Sequence, residues 1–342
     1  TQTGSGGIYG RGALVTEGAA LVAVDSAFED NAHTGIKAED PGSTVDLERV
    51  AVRDTRTDDL GLDGAGIFLF DGAVLTAVDC TLERNHTIAL QLNELDTPHP
   101  AAGETAAYLD GVEIRDTRPD DLGEWGAGIQ MSDGAQLVLD DVLLEGQHGT
   151  SLSVFGAGTV ASLSGTTITS TQYDNWGFAI GAQAVDGGQL YAAQSTFDDN
   201  GGVAVEVYGA GTAVTLEDVE IRNTRSNPAG DFGRAIEVIF GATLTVTGGL
   251  IEDNRDAGVY VSETGSSATL SGLEIHRTGR IPTQTAATGI ACQRDATVVA
   301  DGITVAGTEG PGLYAVQCAL TCTDCTIDDN AFAGVSAVGN TT

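Results

Sequence analysis

The 342-residue chain is short of cations: 15 Lys and Arg stand against 49 Asp and Glu, for a formal net charge of -34, and Lys37 is the only lysine. Nucleic-acid binding needs clustered cations that displace counterions from phosphate, and anionic membranes repel an acidic surface, so both partners are excluded. No run of 18 apolar residues is present, so no segment is expected to insert in a membrane. Aromatics are only 5% of the chain, with two Trp and one Met. A core of this composition must therefore come from Val, Ile, Leu and Ala in a regular, thin-walled structure. The chain opens on Thr1-Gln2-Thr3-Gly4 with no leader and no initiator methionine. We expect a processed or excised part of a larger exported protein, located outside the cell or at its surface, the periplasm included.

Glycine is abundant, at 47 residues. It recurs in Gly-Ile, Gly-Val or Gly-Leu steps at Gly7-Ile8, Gly35-Ile36, Gly66-Ile67, Gly128-Ile129, Gly258-Val259, Gly289-Ile290, Gly312-Leu313 and Gly334-Val335. Weaker members at Leu90, Leu152, Ile180, Val205 and Ile236 fill the gaps, and the mean spacing from Ile8 to Val335 is about 27 residues. Each repeat reads as three short strands with period-two alternation, as in the segments around Ile67, Leu75-Thr76-Ala77-Val78 and Cys80-Thr81-Leu82. Many repeats close on Asn-x-x-x-Gly, as from Asn31, Asn254 and Asn330. Asn tolerates the left-handed backbone of a sharp corner, and stacked Asn side chains can bond along a coil axis.

These residues resemble the right-handed parallel β-helix family, the pectate-lyase-like architecture, over essentially the whole chain. The resemblance implies an all-β fold: a single-stranded right-handed parallel β-helix solenoid of about thirteen coils, forming one domain over residues 1–342. In that family the carbohydrate cleft lies on the strand face beside the long loops. The family's catalytic residues do not carry over. Its lyases use Lys or Arg on that face with a calcium-binding acid cluster, and Lys37 has no matching set. Its polygalacturonase-like hydrolases carry paired Asp, His-Gly and Arg-x-Lys, of which only Asp140-Asp141 and His148-Gly149 are present.

The repeats differ in the connection before every second Gly-Ile step. Residues 53–64 and 115–126 share Arg-Asp-Thr-Arg-x-Asp-Asp-Leu-Gly, with looser copies at 170–178, 222–233 and 277–288. Loops on a rigid scaffold are where solenoids keep binding surfaces. Four residues before each following Ile stand Asp63, Trp125, Trp176, Phe232 and Ala286, which predicts an aromatic ladder of Trp125, Trp176 and Phe232 suited to stacking on sugar rings. The same rings could instead fold down and cover the coil edge. The outward residue after each Ile position, among them Gln130, Glu206, Glu237 and Tyr260, would line the same face. Glu206 and Glu237 fall on consecutive coils, which places their Cα atoms ~5 Å apart. Such a pair can act as acid and nucleophile in glycoside cleavage, hold a cation, or be two solvated glutamates.

Asp58, Asp59 and Asp63, then Asp120, Asp121 and Glu124, form glycine-punctuated acidic loops. Calcium is the one cofactor they suggest, and none is required; ordinary turn chemistry, neutralised by Arg56 and Arg118, is the simpler account. Cys292, Cys318, Cys322 and Cys325 allow three full disulfide pairings, and Cys80 reads as a small core residue. Three functions remain: an exported β-helix binding an extended ligand, a glycan, beside Trp125, Trp176 and Phe232 with Gln130 and Tyr260; a polysaccharide lyase or hydrolase using Glu206 and Glu237; and a passive spacer module. The oligomeric state is not legible.

Overall fold

Every repeat folds into strands of about six, five and three residues, exemplified by Ala65–Phe70, Val74–Val78 and Thr81–Glu83. Alternate side chains of each are buried, as period two requires. Asp71 (φ 50°) and Gly72 (φ 80°) turn the chain out of the first strand, and Asp79 (φ 51°) turns it out of the second. Asp reaches this left-handed region at low cost because its short polar side chain bonds locally.

The computed structural model describes residues 10–58, 61, 64–93, 104–283 and 286–339. The chain divides into two compact units, Thr1–Trp176 and Gly177–Thr342. In each, like strands of successive coils pair in parallel, so three sheets form the walls of a parallel β-helix. The first sheet of the first unit holds Gly10–Val15, His33–Glu39, Ala65–Phe70, Ile88–Asn93, Ala127–Ser132 and Thr150–Phe155. That of the second holds Ile180–Val185, Val203–Tyr208, Arg234–Ile239, Ala257–Ser262, Thr288–Gln293, Leu313–Val316 and Val335–Val338. No helix among the described residues is long and apolar enough to cross a membrane.

The interior is a set of aliphatic ladders. Ile36, Ile67, Leu90, Ile129 and Leu152 stack in register in the first unit, all fully buried. Val205, Ile236, Val259, Ile290 and Leu313 do so in the second. Register corrects two steps read from the sequence. Ile8 lies outside the described residues, and the first ladder begins instead at Ala13, opposite Ile36. In the second unit Ile180 faces Val203, and Ala182 faces Val205, so Ala182 rather than Ile180 is the ladder member. A Gly-Ile step is only a local signal; hydrogen-bond register with the neighbouring coil decides the column.

The corner residues also differ from expectation. Asn31, Asn254 and Asn330 do not adopt the left-handed backbone; the aspartates before them do, at Asp30 (φ 53°), Asp253 (φ 54°) and Asp329 (φ 50°). The asparagines point inward and bond along the coil axis. Asn254 Oδ1 accepts the Thr224 N–H at 2.9 Å, and its Nδ2 donates to the carbonyls of Ile221 and Glu252 at 3.0 Å. Asn85 does the same to Thr55 and Val52, and Gln147 Nε2 donates to Ile114 and Glu145. At these corners an inward Asn or Gln therefore closes the coil by satisfying the buried backbone of its predecessor.

Two disulfides staple the end of the second unit, Cys292–Cys318 and Cys322–Cys325. A corner at Asp324 (φ 50°) separates Cys322 from Cys325 and brings onto one side two side chains that strand alternation would place on opposite faces. Cys80 is a buried free thiol whose Sγ donates to the Val78 carbonyl at 3.2 Å. Replacing Asn254 by Leu orphans one buried N–H and two carbonyls, and is expected to lower the unfolding free energy by about 3 kcal/mol. A denaturant midpoint equal to the unaltered protein's would contradict this role.

Candidate functional site

The outward column of the first sheet is the surface in question. In the first unit it runs Lys37, Phe68, Gln91, Gln130, Ser153. A cleft of about 420 Å³ opens over it, lined by His33, Phe68, Gln91, Trp125 and Gln130 among others. The aromatic floor is held by neighbours: the Lys37 ammonium lies 5.5 Å from the Phe68 ring centroid while pairing with Glu39, and Phe68 and Phe70 rings are 6.0 Å apart.

Trp125 forms the rim of this cleft. Its backbone is left-handed (φ 63°), which is costly for a bulky residue, and its indole is 50% exposed. The following residue must be glycine: at Gly126 (φ 109°) a Cβ would meet the His148 Cβ at 2.7 Å. The N–H groups of Gly126 and Ala127 both donate to the Thr87 carbonyl at 2.9 Å, locking the bend. Phe232 (φ 62°) before Gly233 repeats the device in the second unit. Strain of this kind persists only where surrounding structure imposes it, and it clusters at ligand sites.

Trp176 is also open to solvent, at 64%, with its N–H bonded to Asp174 Oδ1 at 2.9 Å. It is not the ladder member expected. Because Ile180 faces Val203, which in turn faces Arg234, the residue equivalent to Phe232 is Phe178. The miscount follows from the Ile180 step corrected above.

In the second unit the column runs Gln183, Glu206, Glu237, Tyr260, Ala291, Tyr314, Ser336. Glu206 and Glu237 are direct partners, as expected, but they are not two solvated glutamates. Glu237 is 5% exposed and hydrogen-bonded by the Arg234 guanidinium, which also donates from Nε to Asp256 Oδ2 at 2.7 Å. That guanidinium lies 3.8 Å from the Tyr260 ring centroid and 5.3 Å from that of Phe232. Burial raises the Glu237 carboxyl above its usual range, with Arg234 opposing. Glu206 is pushed up to about 7, first by burial and then by repulsion from Glu237, with Arg234 partly offsetting. Glu237 is thus held in an ion network with Arg234 and Asp256.

The acidic loops of the first unit stack on one another, with the Asp121 N–H donating to the Gly61 carbonyl at 3.2 Å. Asp120 Oδ1 accepts the Leu122 and Glu124 N–H groups at 2.9 and 2.8 Å, and the Asp58 carbonyl accepts the Gly61 N–H at 2.9 Å. This is turn chemistry. Asp59 and Asp63 lie outside the described residues, and among the described residues no three His, Cys, Asp or Glu side chains gather as a metal site.

A family model described as the right handed beta helix region matches residues 101–275, half of the chain. The chain belongs to the right-handed β-helix family. Among solved structures, this β-helix is similar to a double mutant of the periplasmic alginate epimerase AlgG, at TM-score 0.60 and 8% identity, covering 95% of this chain and 78% of that one. The unsubstituted AlgG structure matches at TM-score 0.51 and 9% identity with the same coverage. These likenesses establish the fold. No curated protein matches the chain by sequence.

The sequence reading missed Arg234 and Asp256. A signal for the first existed: in the second unit the residues aligned with Arg234 include Ile180, Val203, Ala257 and Thr288, so there a charge interrupts an uncharged run. Asp256 had none, being one of many corner aspartates.

The raised Glu206 pKa makes stability depend on pH. The unfolded chain ionises this carboxyl near its ordinary 4.5, whereas the folded β-helix resists until about 7. Stability is therefore lost as pH rises between these values and is level above. Glu206→Gln is expected to remove that slope and to exceed the unaltered protein at pH 8 by on the order of 2–3 kcal/mol. Denaturation at pH 5 and pH 8 checks it; parallel losses in both proteins would refute the assignment.

Proposed function

We propose that this β-helix binds an extended glycan along the outward face of its first sheet, beside the long loops. The observation that carries the reading is Trp125: a half-exposed indole, held by a strained backbone at the rim of a cleft floored by Phe68, Gln91 and Gln130. Aromatic faces stack on the apolar faces of sugar rings, and glutamine amides offer both donors and acceptors to hydroxyls. A ring meant only as packing would fold into the coil edge rather than stand half in solvent. On the same reading Trp176 is a further contact in the first unit, and Phe232 and Tyr260 are contacts of the second unit's own face. The fold's likeness to an alginate epimerase agrees with a carbohydrate ligand.

Binding is favoured over cleavage because the acid pair that cleavage would use is closed by Arg234. The two disulfides favour an oxidising compartment, which suits an extracellular, cell-surface or periplasmic protein. Affinity electrophoresis against a panel of soluble polysaccharides tests the reading. At least one should retard the protein, and Trp125→Ala should weaken that binding about tenfold, the equivalent of ~1.4 kcal/mol of stacking. Equal retardation of protein and variant by every polysaccharide would remove Trp125 from the site.

A further inference from the structure

We propose that the second unit carries a separate glycan subsite of its own, built for an uncharged ligand; this rests on the glycan-binding reading above. A cleft of about 750 Å³ lies over its first sheet, within the range of small-molecule sites. Its floor is the succession Tyr260, Ala291, Tyr314, paired coil to coil. Coil spacing sets the two tyrosine positions ~10 Å apart with only a methyl group between them, which forms a recess flanked by two rings. Phe332, 71% exposed, and Pro311 add apolar wall, while Thr288, Gln293 and Ser336 place neutral hydrogen-bonding groups along it.

The charge of this cleft decides the ligand class. Among the described residues Arg234 is the only cation lining it, and its guanidinium is already held by Glu237 and Asp256 and stacked on Tyr260. Arg234 is thereby a positioning residue for the Tyr260 ring and has no charge left to offer a carboxylate or sulfate. Glu237, next to Tyr260 in the column, and Asp256 in the lining set two carboxylates against the one guanidinium, so the field over the cleft is negative wherever it is not neutral. A polyuronate would be repelled, and the further cation near Tyr260, Arg294, is paired with Glu263. An uncharged glycan meets rings, hydroxyls and an amide, with no unpaired ion to desolvate. The first-unit cleft shares this property, since its flanking cation, Lys37, is paired with Glu39.

The test is titration calorimetry on the full chain with malto-, cello- and laminarihexaose, and with hexagalacturonate as the anionic counterpart. An uncharged hexasaccharide is expected to bind at two sites per chain. Tyr314→Ala and Phe332→Ala should each remove one of them or weaken it at least tenfold, with Trp125→Ala weakening the other about tenfold, and hexagalacturonate should bind at least tenfold more weakly. Phe332 is a surface side chain, so its variant reports on binding rather than folding. Unchanged stoichiometry and affinity in both Tyr314→Ala and Phe332→Ala would overturn the second subsite while leaving the glycan reading intact. Hexagalacturonate binding as tightly as the uncharged sugars, with dependence on Tyr314, would overturn the ligand class. No binding of any hexasaccharide by the unaltered protein would overturn the glycan reading, and this subsite with it.

Discussion

The parallel ladder between successive coils is the interaction on which everything else in this protein rests. Each strand pairs with the like strand of the neighbouring coil, so a residue's neighbours are its counterparts one repeat away rather than its sequence neighbours. Such a stack tolerates no polar gap at its corners. The inward asparagines at Asn85 and Asn254, with Gln147 in the same role, answer this by bonding the backbone of the preceding coil. Aspartates at the outward side of the corners absorb the left-handed backbone. Part of the acidity of the chain thus has a conformational origin, since aspartates take the left-handed closing corner at Asp30, Asp54, Asp116, Asp199, Asp253 and Asp329.

Register gives this ladder an ordered outward face. A side chain that points outward after the buried aliphatic position does so on every coil, and the first sheet therefore presents one column whose chemistry changes along each unit. In the first unit it is aromatic and amide; in the second it passes from carboxylates to tyrosines. Loops on alternate coils supply the rims, and glycines at Gly126 and Gly233 allow Trp125 and Phe232 to take backbone conformations that strands would not permit.

Electrostatics separates the two halves of the Glu pair. Direct pairing of Glu206 with Glu237 in a partly buried column is unfavourable for two anions: burial raises both carboxyls, Arg234 opposes the rise at Glu237 through a hydrogen bond, and Glu206 is pushed up to about 7. The same arginine holds Tyr260 and cancels itself against Asp256. One side chain therefore ties two carboxylates and an aromatic ring into a single network.

The sequence by itself determined the repeat, its three strands, the absence of helices, the acidic surface and the partnership of Glu206 with Glu237, because all of these follow from period and composition. It also brought out Trp125 through its place in a recurring loop. Its limits lay where the repeat is degenerate: Ile180 satisfied the Gly-Ile pattern only loosely, and two residues of error moved the aromatic position from Phe178 to Trp176. Only the tertiary structure decided that column, the disulfide pairing, the burial of Glu237 and the cleft around Tyr314 and Phe332. The physical reason is common to them. Each depends on which residues of different coils lie opposite one another, and that is set by inter-strand hydrogen bonds and side-chain direction, which spacing along the chain records only to within a residue or two.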